Sequence, residues 1–186
     1  MVPEIPDILE EGDLIFRRGQ GLTSRVVLAA DKDGIYSHVG IIVKDTDGWK
    51  VIHVVPGETD HDHPEERIKK ETVAQFFAPG KSLSGAIFRY DTVNSISFKA
   101  ASKARELLER KILFDHRYNL EDSAEMYCTE LIYFVYKNAG IDLTEGRRSS
   151  YPGFRTHFIL PRDIAGNDKL KCIFHYNQYQ LSETPR

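Results

Sequence analysis

"SHVGIIVKDTDGWKVIHVV", residues 37–55, decides how the chain is read. Two β-branched, apolar runs, "SHVGIIV" (37–43) and "WKVIHVV" (49–55), flank "KDTDG", a cluster of Asp and Gly. That pattern predicts a β-hairpin. Strand side chains alternate between faces, so His38 shares a face with Gly40 and Ile42, and His53 with Val51 and Val55. A loop of two or four residues centred on Thr46 and Asp47 sets Gly40 opposite His53 and His38 opposite Val55. Both histidines then project from one face, on a diagonal of roughly 7 Å. A loop of three or five residues sends them to opposite faces, because a one-residue slip inverts a strand.

The second informative stretch is "EMYCTELIYFVYKNAG", 125–140, which reads as a helix apolar almost all round and therefore central, with Gly140 as its stop. It carries Cys128, one of only two cysteines in the chain. A buried thiol needs no special reason, since cysteine packs well as a small hydrophobe. A catalytic thiol needs a base, a positive local field and an opening to substrate. "DSAE", 122–125, resembles an acidic capping box, which starts the helix early and leaves Cys128 in the second turn. A start at Tyr127 places Cys128 in the field of the helix N-terminus. The residues alone leave both starts open.

Outward from these, "DLIF" (13–16), "GAIFRY" (85–90) and "KLKCIFHY" (169–176) read as strands, the last with Leu170, Cys172, Phe174 and Tyr176 on one face. "LTSRVVLAA" (22–30) and "SISFKAASKARELLERKI" (95–112) read as helices, and "LPRDIAG" as a helical turn opened by Pro161. Residues 1–12 are acidic and Pro-bearing, and read as irregular. The order is hairpin-like rather than βαβ, which predicts an α+β fold with an antiparallel sheet.

The chain has 186 residues, 41% of them apolar and 28% charged, which suits a single domain spanning 1–186 with its core over about 11–176. A net charge of -3 gives no general pull toward nucleic acid, and no apolar run reaches membrane-spanning length. Two cysteines cannot form a disulfide framework. The N-terminus lacks a basic segment followed by an apolar one, so it does not read as a secretory signal. Compartment and oligomeric state stay open.

Five motifs in this order, "GDLIFRRG", "YSHVGIIV", "VIHVVPG", "YCTELIYFVY" and "LPRDIA", resemble the circularly permuted, papain-like cysteine hydrolases of the NlpC superfamily, the YiiX/YaeF-like amidase group. The resemblance runs from about residue 11 to 175. It implies a papain-like core whose antiparallel sheet packs against the Cys helix. It also implies Cys128 as nucleophile, His38 as base and His53 as the polar third residue. The expected substrate is a peptide or amino-acid amide, with cell-wall peptide as one option, cleaved without cofactor or metal. "SHVGIIV…VIHVVPG" is also similar to lecithin retinol acyltransferase, so a thiol acyltransferase or lipid hydrolase is the alternative. That group carries its cysteine in an "NC" dipeptide, whereas this chain has Tyr127-Cys128, which favours the amidase branch. A non-catalytic binding module on the same fold is the remaining reading.

Tyr36, two residues before His38, and Tyr127 and Glu130, beside Cys128, are candidate substrate-binding residues. Tyr36 reads equally as a strand-start aromatic, and Glu130 as a solvated helix charge. His61 and His63 in "HDHP" have metal-binding chemistry, but a charged surface loop is the ordinary reading. Cys172 reads as core packing. "SSYPGFRTHF", 149–158, reads as a loop walling the cleft.

Overall fold

The computed structural model describes residues 2–5, 7–31, 34–58, 64–91, 94–120, 123–151 and 157–178. Six antiparallel strands form the main sheet: β1 (Leu14–Gly19), β2 (His38–Asp45), β3 (Gly48–His53), β4 (Lys69–Thr72), β5 (Ser82–Tyr90) and β8 (Leu170–Asn177). Their spatial order is β4-β3-β2-β1-β5-β8. Two residue pairs form a separate parallel ladder, β6 (Leu113–Phe114) with β7 (Glu125–Met126).

The hairpin has the even loop. Asp45 pairs with Gly48 and Ile41 with Ile52, leaving Thr46 and Asp47 as the two turn residues. His38, Gly40, Ile42, Val51 and His53 therefore share one face. Gly40 supplies the room there. A Cβ on Gly40 would stand 2.5 Å from Val51 Cγ1, 3.1 Å from the Ile52 carbonyl oxygen and 3.2 Å from His53 Cβ.

Each face of the sheet carries its own core. On one side Leu14, Phe16, Val39, Ile41, Val43 and Ile52 meet helices α3 (Asn94–Glu109) and α4 (Cys128–Asn138). Helix α3 contributes Ala100, Ala101, Ala104 and Leu107, an apolar stripe at helical spacing, and α4 contributes Leu131, Ile132, Val135 and Tyr136. Burying each large aliphatic in this stripe is worth about 1.5–3 kcal/mol relative to exposing it. The Tyr136 hydroxyl, inside this apolar layer, donates to the Gly12 carbonyl at 2.7 Å. On the other side Ile15, Ile42, Val51 and Ile87 meet Val73, Phe76 and Phe77, from the short helix α2 (Val73–Phe76) and its C-cap. Thr72 and Gln75 cap α2 reciprocally: Gln75 N–H donates to Thr72 Oγ1 at 3.1 Å, and Thr72 N–H to Gln75 Oε1 at 2.7 Å.

Two expectations change. Helix α4 begins at Cys128 rather than at residue 125, because Glu125 and Met126 are taken into the ladder with β6. Of the "DSAE" segment, Asp122 lies outside the described residues. Cys172 is exposed rather than core. Cys172 keeps the side of Leu170, but on β8, the edge strand of the sheet. A β-bulge follows it: Ile87 pairs with Phe174 but Phe88 pairs with Cys172, so the alternation of β8 breaks at Ile173. Leu170 faces α3 and α4, whereas Phe174 and Tyr176 pack with Phe77 on the opposite side. Helix α1 (Leu22–Ala30) forms where expected, yet none of its residues is buried. Gly140 follows the α4 cap at φ +100°, the left-handed stop that the sequence signals.

Gly40→Ala tests the link between register and site. The added methyl is expected to destabilise the fold by about 1–3 kcal/mol, through overpacking between β2 and β3. Denaturant titration measures this, and an unchanged midpoint would show that Gly40 does not set the β2–β3 spacing.

Candidate active site

His38 opens β2 and His53 ends β3. Their rings meet edge to face, with His38 Nε2 2.8 Å from His53 Nδ1. Both are buried, and Phe76 lies against both rings, stacked on His38 at 5.5 Å and edge-on to His53 at 5.3 Å. On β4, Glu71 continues the row: its Oε1 lies 3.1 Å from His53 Nε2.

Glu71 sets the direction of the row. Burial alone pushes its carboxyl pKa up, but contact with His53 and Lys81 outweighs this and holds it well below the usual carboxylate range. Glu71 is therefore ionised, and its charge 3.1 Å away favours a proton on His53 Nε2, although the two atoms meet as an ion-pair contact rather than a well-aligned hydrogen bond. His53 Nδ1 then accepts, and His38 Nε2 donates to it. The nitrogen of His38 left with a lone pair is Nδ1. Burial pushes both imidazoles below their usual pKa. For His38, nearby Arg17 and His53 push the same way; for His53, Glu71 pulls partly back. Both rings are neutral at pH 7.

Cys128 is the first residue of α4, with Tyr127 as N-cap. The Tyr127 N–H donates to Glu130 Oε2 at 3.3 Å. The main chain of Val39, Thr129 and Cys128 itself, together with Arg17, favours a negative sulfur, as expected at a helix N-terminus. Burial outweighs them and pushes the thiol up to about 11. The field expected of a helix start is present, but the resting sulfur carries its proton.

Cys128 and His38 line one cavity of about 610 Å³. Its wall is mostly apolar: Leu22, Val26 and Val27 of α1, Val54, Pro56, Phe114, Tyr118, Tyr127, Ile159 and Leu160. Tyr127 forms part of this wall, and its hydroxyl is committed to structure, accepting from the Ile159 N–H at 3.0 Å. Thr129 ties the same segment by donating to the Ile159 carbonyl at 2.6 Å. Tyr151 and Phe158 also line the cavity, as the loop reading of 149–158 anticipates, while 152–156 lie outside the described residues.

Two candidates stand elsewhere. Tyr36 packs between Phe16 and Phe88, with ring centroids at 5.4 and 6.2 Å, and is not among the cavity residues. Glu130 is buried as part of the helix cap, neither in the cavity nor solvated. The sequence reading missed Glu71 and the charges around it. A "TVAQ" capping box at 72–75 was visible and marks α2, and hence the strand before it that carries Glu71. No three His, Cys, Asp or Glu side chains among the described residues come together to hold a metal, and His61 and His63 lie outside those residues. No helix among the described residues is long and apolar enough to cross a membrane.

Comparison with known proteins bears on the family and the fold. The model of the permuted papain-like amidase enzymes, the YaeF/YiiX, C92 family, matches residues 8–152. The fold is similar to the crystal structure of the metalloprotein YiiX from Escherichia coli O157:H7, with a TM-score of 0.70 and 18% identity, over 90% of this chain and 97% of that one. No curated protein matches the chain significantly. The chain belongs to the permuted papain-like amidase family, and at that level it is a cysteine hydrolase.

Two measurements check the electrostatics. In a Cys172→Ala background, iodoacetamide labelling of Cys128 is expected to be slow at pH 7 and to accelerate as pH rises toward about 11, since the thiolate fraction grows with pH. Full-rate labelling at pH 6 would show that His38 already holds the proton. Glu71→Gln offers His53 an amide that can donate as well as accept, so the row loses its direction. The expected result is a fall of about 100-fold in kcat with altered 15N shifts of the His38 ring. Unchanged shifts would remove Glu71 from the row.

Proposed function

We propose that the protein hydrolyses an amide whose acyl part is apolar, through an acyl-enzyme on Cys128. The observation that carries this is the one-way row Glu71–His53–His38, which leaves the His38 Nδ1 lone pair as the base nitrogen in a residue that shares the cavity with Cys128. Since thiol and imidazole are both neutral at rest, proton transfer accompanies attack. His38 Nδ1 takes the Sγ proton as the S–C bond forms. The carbonyl oxygen gains the charge and is received by the N–H groups of Cys128 and Thr129 at the α4 N-terminus, which face the sulfur at rest. Collapse breaks the C–N bond, and His38 returns its proton to the departing amine. Water then attacks the thioester, giving one proton to His38. Collapse to the acid expels Sγ, which recovers that proton.

The apolar wall supports an amide with an aliphatic or aromatic acyl group over a polar cell-wall peptide, because a polar chain would leave its amides unpaired there. The same wall supports a second reading, hydrolysis or transfer of a lipid acyl group.

Acyl p-nitroanilides and acyl esters of increasing chain length test both. The expected result is hydrolysis of the anilides with a covalent acyl adduct on Cys128 seen by intact-mass spectrometry. His38→Ala should lower kcat/KM by about 10²–10⁴-fold. Turnover of esters with none of anilides would select the lipid reading. Undiminished hydrolysis in Cys128→Ala protein would overturn both.

A further inference from the structure

The cavity has a charged end. Arg17 of β1 lies directly opposite His38 in the sheet and is 2% exposed. Its guanidinium covers the Phe76 ring at 4.6 Å and donates to the Phe76 carbonyl at 3.0 Å and to Glu58. Its Nε has no hydrogen-bond partner among the described residues. Lys69 of β4 and Lys81, just before β5, complete a group of three cations. Glu71 and Glu58 are the two carboxylates that answer them.

The two carboxylates differ in how they are held. Glu71 lies on a strand, is occupied by His53, and receives Lys81 at 2.7 Å. Glu58 lies on the loop after β3, just past Gly57, whose φ is +74°. Its Oε2 is 3.3 Å from Lys69 Nζ and 3.1 Å from Lys81 Nζ. Burial raises its pKa, but Arg17, Lys81 and the neighbouring cations prevail and keep it ionised. Arg17, Glu58 and Lys81 all line the cavity that holds Cys128.

We infer that Arg17, Lys69 and Lys81 form a subsite for an anionic group of the substrate, a carboxylate or a phosphate, and that Glu58 fills this subsite when substrate is absent. The inference rests on the proposed function only in treating the cavity as the substrate's. Among the described residues these three cations meet two carboxylates, which leaves one positive charge over, and the buried Arg17 Nε–H has no acceptor there. Buried charges of this kind are costly unless paired, so the subsite gains from a second anion. An apolar acyl group in the cavity and an anion on the same molecule describe an acyl amino acid or an acyl compound bearing phosphate.

Calorimetry on Cys128→Ala protein, which lacks the nucleophile, tests this with decanoylglycine, decyl phosphate and neutral decanoylglycinamide. At least one charged compound is expected to bind about tenfold tighter than the neutral one, the worth of one charge-assisted hydrogen bond. Whichever binds more tightly identifies carboxylate or phosphate as the anion. Adding Lys81→Met should bring the charged compounds down to the affinity of the neutral one, and Glu58→Gln should tighten the charged compounds by removing their competitor. Equal affinity for charged and neutral compounds, no binding of any of them, or weaker anion binding in Glu58→Gln protein overturns the inference. The readout does not involve the nucleophile. A charge preference without an acyl adduct in the Cys128-containing protein would sink the proposed function and leave the subsite standing.

Discussion

Two buried imidazoles in hydrogen-bond contact are the constraint around which the rest of the molecule is arranged. His38 Nε2 and His53 Nδ1 cannot both carry protons at 2.8 Å, so one ring must donate and the other accept. Neither can hold a charge cheaply at zero to three per cent exposure. Those conditions propagate outward. The hairpin must have an even loop, the residue between the rings must lack a side chain, and a third group must fix the tautomers. The Thr46–Asp47 turn, Gly40 and Glu71 meet these three needs from three separate parts of the chain. Phe76, brought back over the sheet by α2, presses the rings together from the open side.

The two faces of the sheet divide the labour. Helices α3 and α4 cover one face and supply most of the apolar burial, while the histidine row and its charges occupy the other. Cys128 belongs to the first layer but stands at the very start of α4, where the helix end brings it to the Val39 main chain at the head of β2. Cys128 thus meets β2 at the end of the strand rather than across the sheet. This geometry also explains the sulfur's resting state. The helix end and nearby Arg17 favour the thiolate, but the loss of water around the sulfur is the larger effect.

Hairpin and Cys helix were legible because each rests on a local rule, turn chemistry for one and a run of apolar residues ended by glycine for the other; the shared histidine face followed only from the even loop, which the strand register supplies. What escaped reading was non-local. Glu71 sits in "KKET", a charged tetrad with no apolar alternation, and only pairing with β3 makes it a strand. The start of α4 was decided by a partner strand that takes Glu125 and Met126, not by the capping signals around them. Cys172 looked buried because its strand alternates, but that strand lies at the sheet edge, and the bulge beyond Cys172 carries Phe174 and Tyr176 to the opposite face. Tyr36 has the spacing of a site residue but finds two aromatic neighbours first.

Helix α1 stands apart from this tightly coupled arrangement. It walls the cavity with Leu22, Val26 and Val27 while burying none of its residues, and Leu22 remains 80% exposed. Because its side chains contribute little to the core, substitutions along it cost the fold little. The row of Glu71, His53 and His38 has the opposite character, since each member constrains the next. The shape of the cavity can therefore be altered through one nine-residue helix without disturbing the buried contacts of the sheet. The wall of a single cavity joins a part of the fold that tolerates change to a part that does not.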